Sequence, residues 1–322
     1  MSEVITKTPF LSLVVPFYNE EEVIDIFFPT VVAELSKLQL SGFEIVCVND
    51  GSRDDTLPKL VFAASKDHRI RVVDLSRNFG KEAALSAGLK EARGDVLIPF
   101  DADLQDPPSV IAEMLRHFAE GYDVVLARRV DRSSDSFLKR KTASMFYWVH
   151  NRLSDVKIPE NVGDFRLISR EVADAIAALP ENRRFMKGLF AWVGYRTITI
   201  DYTREPRAAG QTKFSGWKLW NFALEGLTSF STVPLRIWTY LGGMLALFAI
   251  LWAVMLLVRT LIFGIDVPGY ASIAVAVFML GGVQLIGIGV LGEYIGRIYM
   301  ESKDRPVYIV RKRYENAPPS LS

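Results

Sequence analysis

Two uninterrupted apolar runs constrain this chain more than any other feature. Residues 237–258 are 22 positions without a formal charge, and residues 270–292 are 23 positions in which Gln284 alone is strongly polar. Crossing a bilayer core takes about 20 apolar residues of helix. Both runs therefore read as membrane spans, over residues 237–262 and 270–296, behind a large soluble head. Arg207, Lys213, Lys218 and Arg236 precede the first span, and Arg297, Lys303, Arg305, Arg311, Lys312 and Arg313 follow the second. The connector between them has Arg259 as its single base, with Asp266 beside it. The positive-inside bias places head and tail in the cytoplasm and the connector outside. The sequence opens without a charged-then-apolar leader, so no secretory signal is expected.

Composition narrows the class of the head. Of 322 residues 50% are hydrophobic and 23% charged, with 38 Lys+Arg against 37 Asp+Glu. That balance excludes a disordered chain and a surface given over to nucleic acid. A single cysteine, Cys47, excludes disulfide frameworks and cysteine zinc sites, and three histidines argue against a His-rich metal centre. Cys47 lies in an apolar run and reads as a small core residue.

Periodicity resolves the head into alternating units. Strands are expected over residues 11–15, 43–48, 70–75, 96–100 and 122–127, the first closed by Pro16. Helices are expected at the apolar spacing of Val23, Phe27, Val31, Leu35 and Leu38, with a kink at Pro29, and over 54–65, 81–92 and 107–120. Such alternation predicts an α/β fold with a mostly parallel sheet covered on both faces. Ligands in these folds gather at the carboxyl ends of the strands. The polar clusters Asn19–Glu20, Asn49–Asp50 and Asp101–Asp103 each fall at such an end.

The cluster Asp101-Ala102-Asp103-Leu104-Gln105 follows a strand directly. Two carboxylates at i and i+2 leaving an extended segment can face one hard cation, with Gln105 adding a neutral oxygen, a donor set suited to Mg²⁺ or Mn²⁺. The same residues would also serve as an acidic loop capping the next helix. The strand ends PFYNE (16–20) and NDGSRD (49–54) supply acids able to accept hydrogen bonds from a ribose or base, or plain turn and cap chemistry. No P-loop is present and no GxGxxG follows a strand, which removes the main support for ATPase and dinucleotide readings.

The order PFYNE, NDGSRDD, NFGKEAALSAG, DADLQDPP, GDFRLISR and GQTKF resembles family 2 glycosyltransferases of the polyprenyl-phosphate branch, which includes dolichol-phosphate mannose synthases and bactoprenol glucosyltransferases. The resemblance covers nearly the whole chain and is nearest to the bactoprenol glucosyltransferases of O-antigen glucosylation. It implies a GT-A type, Rossmann-like catalytic domain over residues 1–206, a juxtamembrane segment over 207–236, a two-helix transmembrane hairpin and a tail over 297–322. By the same resemblance Pro16, Tyr18, Glu20, Val48, Asp50, Asp101 and Ala102 hold the donor nucleotide. Asp101, Asp103 and Gln105 hold the metal, and Arg128, Arg207 and Lys213 contact phosphate or acceptor. Asp103 and Asp164 match the catalytic centre. Asn49 departs from the DDG found in many relatives but leaves Asp50 in position.

The implied reaction is inverting transfer of a hexose, glucose foremost, from a UDP-sugar to undecaprenyl phosphate at the cytoplasmic face of a bacterial inner membrane. UDP-GlcNAc, a UDP-aminoarabinose derivative or GDP-mannose are alternative donors. A non-catalytic lipid carrier or scaffold is the rival from another class. A processive synthase would need a QxxRW motif, which is absent. A lipid phosphate is already anionic near neutral pH, since its second pKa is about 6. Asp164 is therefore expected to orient the sugar or the basic residues more than to abstract a proton, or else to be a buried acid paired with Arg166.

Two stripes mix basic and aromatic side chains: residues 137–153, and 214–230 with Trp217, Trp220, Leu224 and Leu227 at helical spacing. Both fit helices at a membrane interface, and the first equally fits a core-facing helix with a solvated basic end. Arg183 and Arg184 could hold an anionic headgroup or be a solvated pair. Gly281, Gly282, Gly287, Gly289, Gly292 and Gly296 keep the second span slim, which predicts close packing within the hairpin or in a homo-oligomer. Glu293 is placed to pair with Arg297.

Overall fold

Apolar strands and amphipathic helices build one eight-stranded sheet. The computed structural model describes residues 8–130, 162–181, 184, 186–203, 233–263 and 269–315. In chain order the elements are β1 (Phe10–Phe17), α1 (Ile24–Leu35), β2 (Gly42–Asn49), α2 (Thr56–Lys66), β3 (Ile70–Leu75), α3 (Lys81–Glu91), β4 (Val96–Pro99), α4 (Ile111–Ala119) after a 3-10 turn at Pro108–Val110, and β5 (Val124–Arg129). There follow β6 (Val162–Ser169), α5 (Arg170–Ala178), α6 (Met186–Trp192), β7 (Thr197–Tyr202), the long helices α7 (Val233–Phe263) and α8 (Tyr270–Ser302), and β8 (Val310–Tyr314).

The spatial order is β7-β5-β6-β4-β1-β2-β3-β8. Strands β4, β1, β2 and β3 are mutually parallel, and β5 pairs parallel with β7. Strand β6 runs antiparallel between β4 and β5, and β8 antiparallel along β3. The expected mostly parallel α/β architecture is what forms. Side chains alternate across it: Leu11, Leu13, Val15 and Phe17 of β1 pack with α1, α2 and α4, whereas Val14 packs with α3, α5 and α6. Cys47 is fully buried in the first of these layers, as expected, and burial pushes its thiol pKa far up. Helix α3 lies very close to the sheet, because a Cβ on Gly88 would stand 2.3 Å from Val14 Cγ1.

Strand β1 continues through Pro16 rather than stopping before it. Val14 O accepts from Phe100 N of the β4 side, whereas Phe17 O accepts from Asp50 N of the β2 side. The nitrogen of Pro16 therefore faces past the end of β4, where no ladder bond is lost. Pro29 sits inside α1, as expected.

The segment expected as a simple tail contains β8, which returns to the head. Buried Glu44 accepts from Ser12 Oγ (2.6 Å) and from Arg71 Nη1 (2.9 Å), and Arg71 Nε donates to Glu315 just after β8 (2.9 Å). Arg313 forks onto Glu91 at 2.6–3.0 Å. These pairs clamp the strand following α8 onto the sheet at its amino-terminal edge.

Helices α7 and α8 occupy the positions of the two expected spans. Among the described residues one stretch, Met279–Ser302 of α8, is long and apolar enough to cross a membrane, with mean hydropathy 1.4 and no part of it buried. Gly287 lies against the Trp238 ring of α7, 3.3 Å from Cε3 to the position of a Cβ. Gly281, Gly282, Gly289, Gly292 and Gly296 meet no neighbour within 4 Å among the described residues. Glu293 and Arg297 pair at 2.9 Å, as expected.

Candidate functional site

Strand register brings the chemistry-bearing residues together. The parallel ladder of β1 and β2 ends at Phe17↔Asn49, so the next pair along the same register is Tyr18 and Asp50. The antiparallel ladder of β4 and β6 pairs Leu97 with Ile168 and then stops. Carried four residues further, that register sets Asp101 opposite Asp164. Pro99 helps to open the strands there. Phe100 N donates toward β1, so the nitrogen of Pro99 faces β6 with no hydrogen to give.

The ammonium of Lys81 fills this gap, 2.7 Å from Asp101 Oδ1 and 2.7 Å from Asp164 Oδ2. Burial disfavours the charge on Lys81, but the facing Asp164 and Asp101 outweigh it and raise its pKa. Burial likewise disfavours ionised Asp164, and Lys81, Lys187 and Arg166 overcome it, holding that carboxyl well below the usual range. Asp164 Oδ1 is buried without a hydrogen-bond partner among the described residues. An unfilled buried acceptor is uncommon and marks a place where a further donor or cation fits. Arg166 donates to Gly163 O at 2.6 Å and lies over the Phe190 ring, close enough for its charge to favour ionised Asp164.

Asp50 explains how Lys81 reaches the gap. Its carboxylate accepts from Phe79 N (2.7 Å) and Gly80 N (2.9 Å), turning the loop after β3 into the start of α3. Burial raises the pKa of Asp50 despite those two bonds and Arg77. The loop crosses directly over Gly51, which has φ 64°. Asn49, the departure from DDG, donates through Nδ2 to buried Asp74 Oδ1 at 2.8 Å, with Arg311 of β8 3.6 Å from the other oxygen. A carboxylate at position 49 would face Asp74 with like charge. Asn49→Asp is expected to lower stability by about 1–3 kcal/mol, read from denaturant unfolding; an unchanged midpoint contradicts this role.

Glu82, next to Lys81, accepts from Met186 N at 3.3 Å. Burial and the charge of Asp164 push its pKa up to about 7 from 4.5, against the opposing pull of Lys81. The folded protein keeps a proton that the unfolded chain releases between those values, so this group's contribution to stability falls as pH rises from 4.5 to 7. Glu82→Gln keeps an acceptor for Met186. It is expected to gain stability over the parent across that window, on the order of 2 kcal/mol, and to hold the gain above it. Thermal unfolding of both proteins at the two ends of the window checks this; a pH-independent difference contradicts it.

The loop after β4 is a tight turn. Asp103 Oδ1 accepts from Gln105 N at 3.3 Å, and Leu104 adopts φ 53° although it is not glycine. Asn19, at the end of β1, also has φ 53°, its side chain accepting from Arg53 N. Left-handed non-glycine residues carry strain that concentrates at functional sites. Asp101, Asp103 and Gln105 carry the oxygen donors that a hard divalent cation takes, and the open acceptor of Asp164 lies across the Lys81 gap from Asp101. No group of three His, Cys, Asp or Glu is arranged to hold a metal among the described residues.

Other expected residues are placed with less convergence. Tyr18 is 42% exposed at the strand end, and Glu20 lies close by with its backbone N–H on Thr56 Oγ1. Pro16 is partly buried and Ala102 is buried in the turn. Val48 is fully buried, so only its backbone can meet a ligand without repacking. Arg128 forks onto Asp201 at 2.7 and 3.0 Å and has not joined the Lys81 gap. Arg184 donates to the carbonyls of Leu179 and Glu181, a helix-end role. Arg207 and Lys213, Arg183, and the stripes at 137–153 and 214–230 lie outside the described residues.

Lys81, Glu82 and Lys187 are the residues of this cluster that sequence reasoning did not single out. A signal was present: lysine in the first position of a helix opposes the positive end of the helix dipole, so its occurrence directly after Gly80 calls for a local anion.

Comparison with known proteins bears on this arrangement. The profile of glycosyl transferase family 2 matches residues 12–177. A glycosyltransferase of Synechocystis is 53% identical over 300 residues, covering 93% of this chain and 94% of its own. The SfII prophage-derived bactoprenol glucosyl transferase of Shigella flexneri is 54% identical over 308 residues, covering 96% and 99%. The prophage bactoprenol glucosyl transferase homolog of Escherichia coli K12 is 53% identical over 302 residues, covering 94% and 98%.

Proposed function

The chain belongs to glycosyltransferase family 2, and from that premise we propose that it transfers glucose from UDP-glucose to a polyprenyl phosphate, undecaprenyl phosphate in a bacterial inner membrane. The observation that carries this reading is the charged gap between β4 and β6, where Asp101, Lys81 and Asp164 meet at the carboxyl end of the sheet. Relatives named bactoprenol glucosyl transferase, 54% identical over nearly their full length, support the sugar and the lipid.

In this reading Tyr18, Glu20 and Asp50 border the nucleotide, and Asp101, Asp103 and Gln105 hold Mg²⁺ or Mn²⁺. The metal, when bound, offsets the charge that develops on the departing diphosphate. Arg207, Lys213 and Arg128 are the bases proposed to contact the phosphates, Arg128 after release from Asp201. The acceptor arrives ionised, its second phosphate pKa being about 6, so no strong base is needed. Asp164, kept anionic by Lys81 and Lys187, orients the cationic side of the site. A single displacement at the anomeric carbon inverts configuration, giving a β-linked lipid from an α-linked donor. The same lipid-linked glucose would serve O-antigen or other cell-envelope glycan modification.

Strand β8 supports the membrane topology. It lies after α8 yet pairs with β3 of the head, so head and chain end share one side of the bilayer. Crossing by α8 then requires a return crossing, which α7, 31 residues long, is able to make. With bases flanking the hairpin on the head side, that side is the cytoplasm. A head over residues 1–206 is thereby held at the membrane through the 207–236 segment and through β8.

The test is transfer of labelled sugar to undecaprenyl phosphate by the full chain in detergent, from UDP-glucose, UDP-GlcNAc, a UDP-aminoarabinose derivative and GDP-mannose in parallel. Preferred transfer from UDP-glucose, with a β-linked product, is expected. Preference for another donor overturns the sugar assignment. Retained binding of UDP with no transfer from any donor sinks the acceptor assignment.

A further inference from the structure

Lys81 stands where the proposed reaction needs a divalent cation to approach. Its ammonium is 2.7 Å from Asp101 Oδ1, and Asp101 is one of the carboxylates assigned to the metal. Its second contact, Asp164 Oδ2 at 2.7 Å, lies across the gap on β6. Without a cation between them, two carboxylates of a partly closed site would face each other unscreened. We propose that Lys81 is an internal counter-cation that competes with the divalent metal for Asp101 in the donor-free protein, and that the donor's diphosphate draws it off when nucleotide and metal enter together. This rests on the metal–nucleotide reading given above.

Like charges repel in this gap. A divalent ion on Asp101 stands beside an ammonium, which disfavours holding both in the same gap. A diphosphate brings the negative charge that lets metal and ammonium coexist. Metal and nucleotide therefore bind with positive coupling, which is reciprocal by thermodynamic necessity. Lys81 has the freedom to move: its side chain is 46% exposed on a flexible stem at the first position of α3. Its anchor is not free to move, because Asp50 fixes Phe79 N and Gly80 N immediately before it. The ammonium can thus swing between Asp101 and the nucleotide side while its backbone stays in place. Lys81 is in this sense a positioning residue for the metal.

Mn²⁺ binding to the full-length protein in detergent, followed by electron paramagnetic resonance with and without UDP, tests this without any turnover. In the parent, UDP is expected to tighten Mn²⁺ binding by about tenfold or more, within the usual range of such couplings. Lys81→Gln is expected to bind Mn²⁺ about tenfold more tightly than the parent without UDP, and to lose most of the coupling. Lys81→Arg keeps the charge and is expected to retain the coupling, which a merely structural lysine would not require. If Lys81→Gln leaves donor-free Mn²⁺ affinity unchanged or weaker, the proposal is overturned. Should that variant fail to fold, the parent and Lys81→Arg decide: Mn²⁺ affinity indifferent to bound UDP in both overturns it. Absence of Mn²⁺ binding in every protein, with and without UDP, overturns the metal reading itself along with this one.

Discussion

Gly51→Ala is expected to damage stability and turnover together. Gly51 has φ 64°, a region that costs an L side chain about 1–2 kcal/mol. A Cβ there would stand 2.4 Å from Arg77 C and 2.4 Å from Asn78 N. Both are backbone atoms, so no side chain can swing aside and the loop itself must shift. Overpacking of this kind adds about 1–3 kcal/mol, for a total loss of about 2–5 kcal/mol. The displaced loop is the one whose Phe79 and Gly80 N–H groups sit on Asp50 and which delivers Lys81 to Asp101 and Asp164. A misplacement of about 1 Å near reacting groups costs about 10²-fold in rate. Thermal unfolding and sugar transfer of the variant check both effects. Parent-like stability would show that the loop has another acceptable path, and parent-like turnover would detach Lys81 from the reaction.

Asp164→Asn is expected to lower transfer by about 10²–10³-fold, in the range set by losing one electrostatic partner in an active site. The amide preserves shape but leaves Lys81 with Asp101 alone. If Asp164 positions charge, as proposed, the loss is uniform on both sides of the acceptor's second pKa of about 6. If it abstracts a proton, the loss recovers above the acceptor's second pKa, about 6, where the nucleophile needs no base. A rate–pH profile of parent and variant distinguishes the two. Recovery at high pH would return the residue to a general-base role.

Much of the head was legible because local rules and global fold agree. Strand β3 falls over the expected residues 70–75, an apolar run flanked by turns, and α3 begins at the expected Lys81. The three polar strand ends converge because the parallel registers of β1, β2 and β4 end nearly level. What escaped was non-local. Strand β6 has Gly163 and Asp164 in its opening residues and takes its place only by antiparallel pairing with β4 and β5. The sequence VRKRY of β8 reads as a basic tail, and nothing local reveals that Asp74 and Glu91 of the head neutralise Arg311 and Arg313. Arg128 looked available for phosphate, and only the pairing of β5 with β7 sets Asp201 beside it. Asp50, expected beside the donor nucleotide, also holds the loop that leads into α3, a role that no local pattern announces.

The central claim is that the end of β4, facing Lys81 and Asp164, is where a sugar leaves its nucleotide for a lipid phosphate. It is tested most directly by metal-dependent transfer from UDP-glucose to undecaprenyl phosphate, comparing the parent with Asp103→Ala and with EDTA. The account predicts a lipid-linked glucose made by the parent with Mg²⁺ or Mn²⁺, and none in the variant or with chelator. Undiminished transfer by Asp103→Ala, in a protein that still binds UDP, would contradict it.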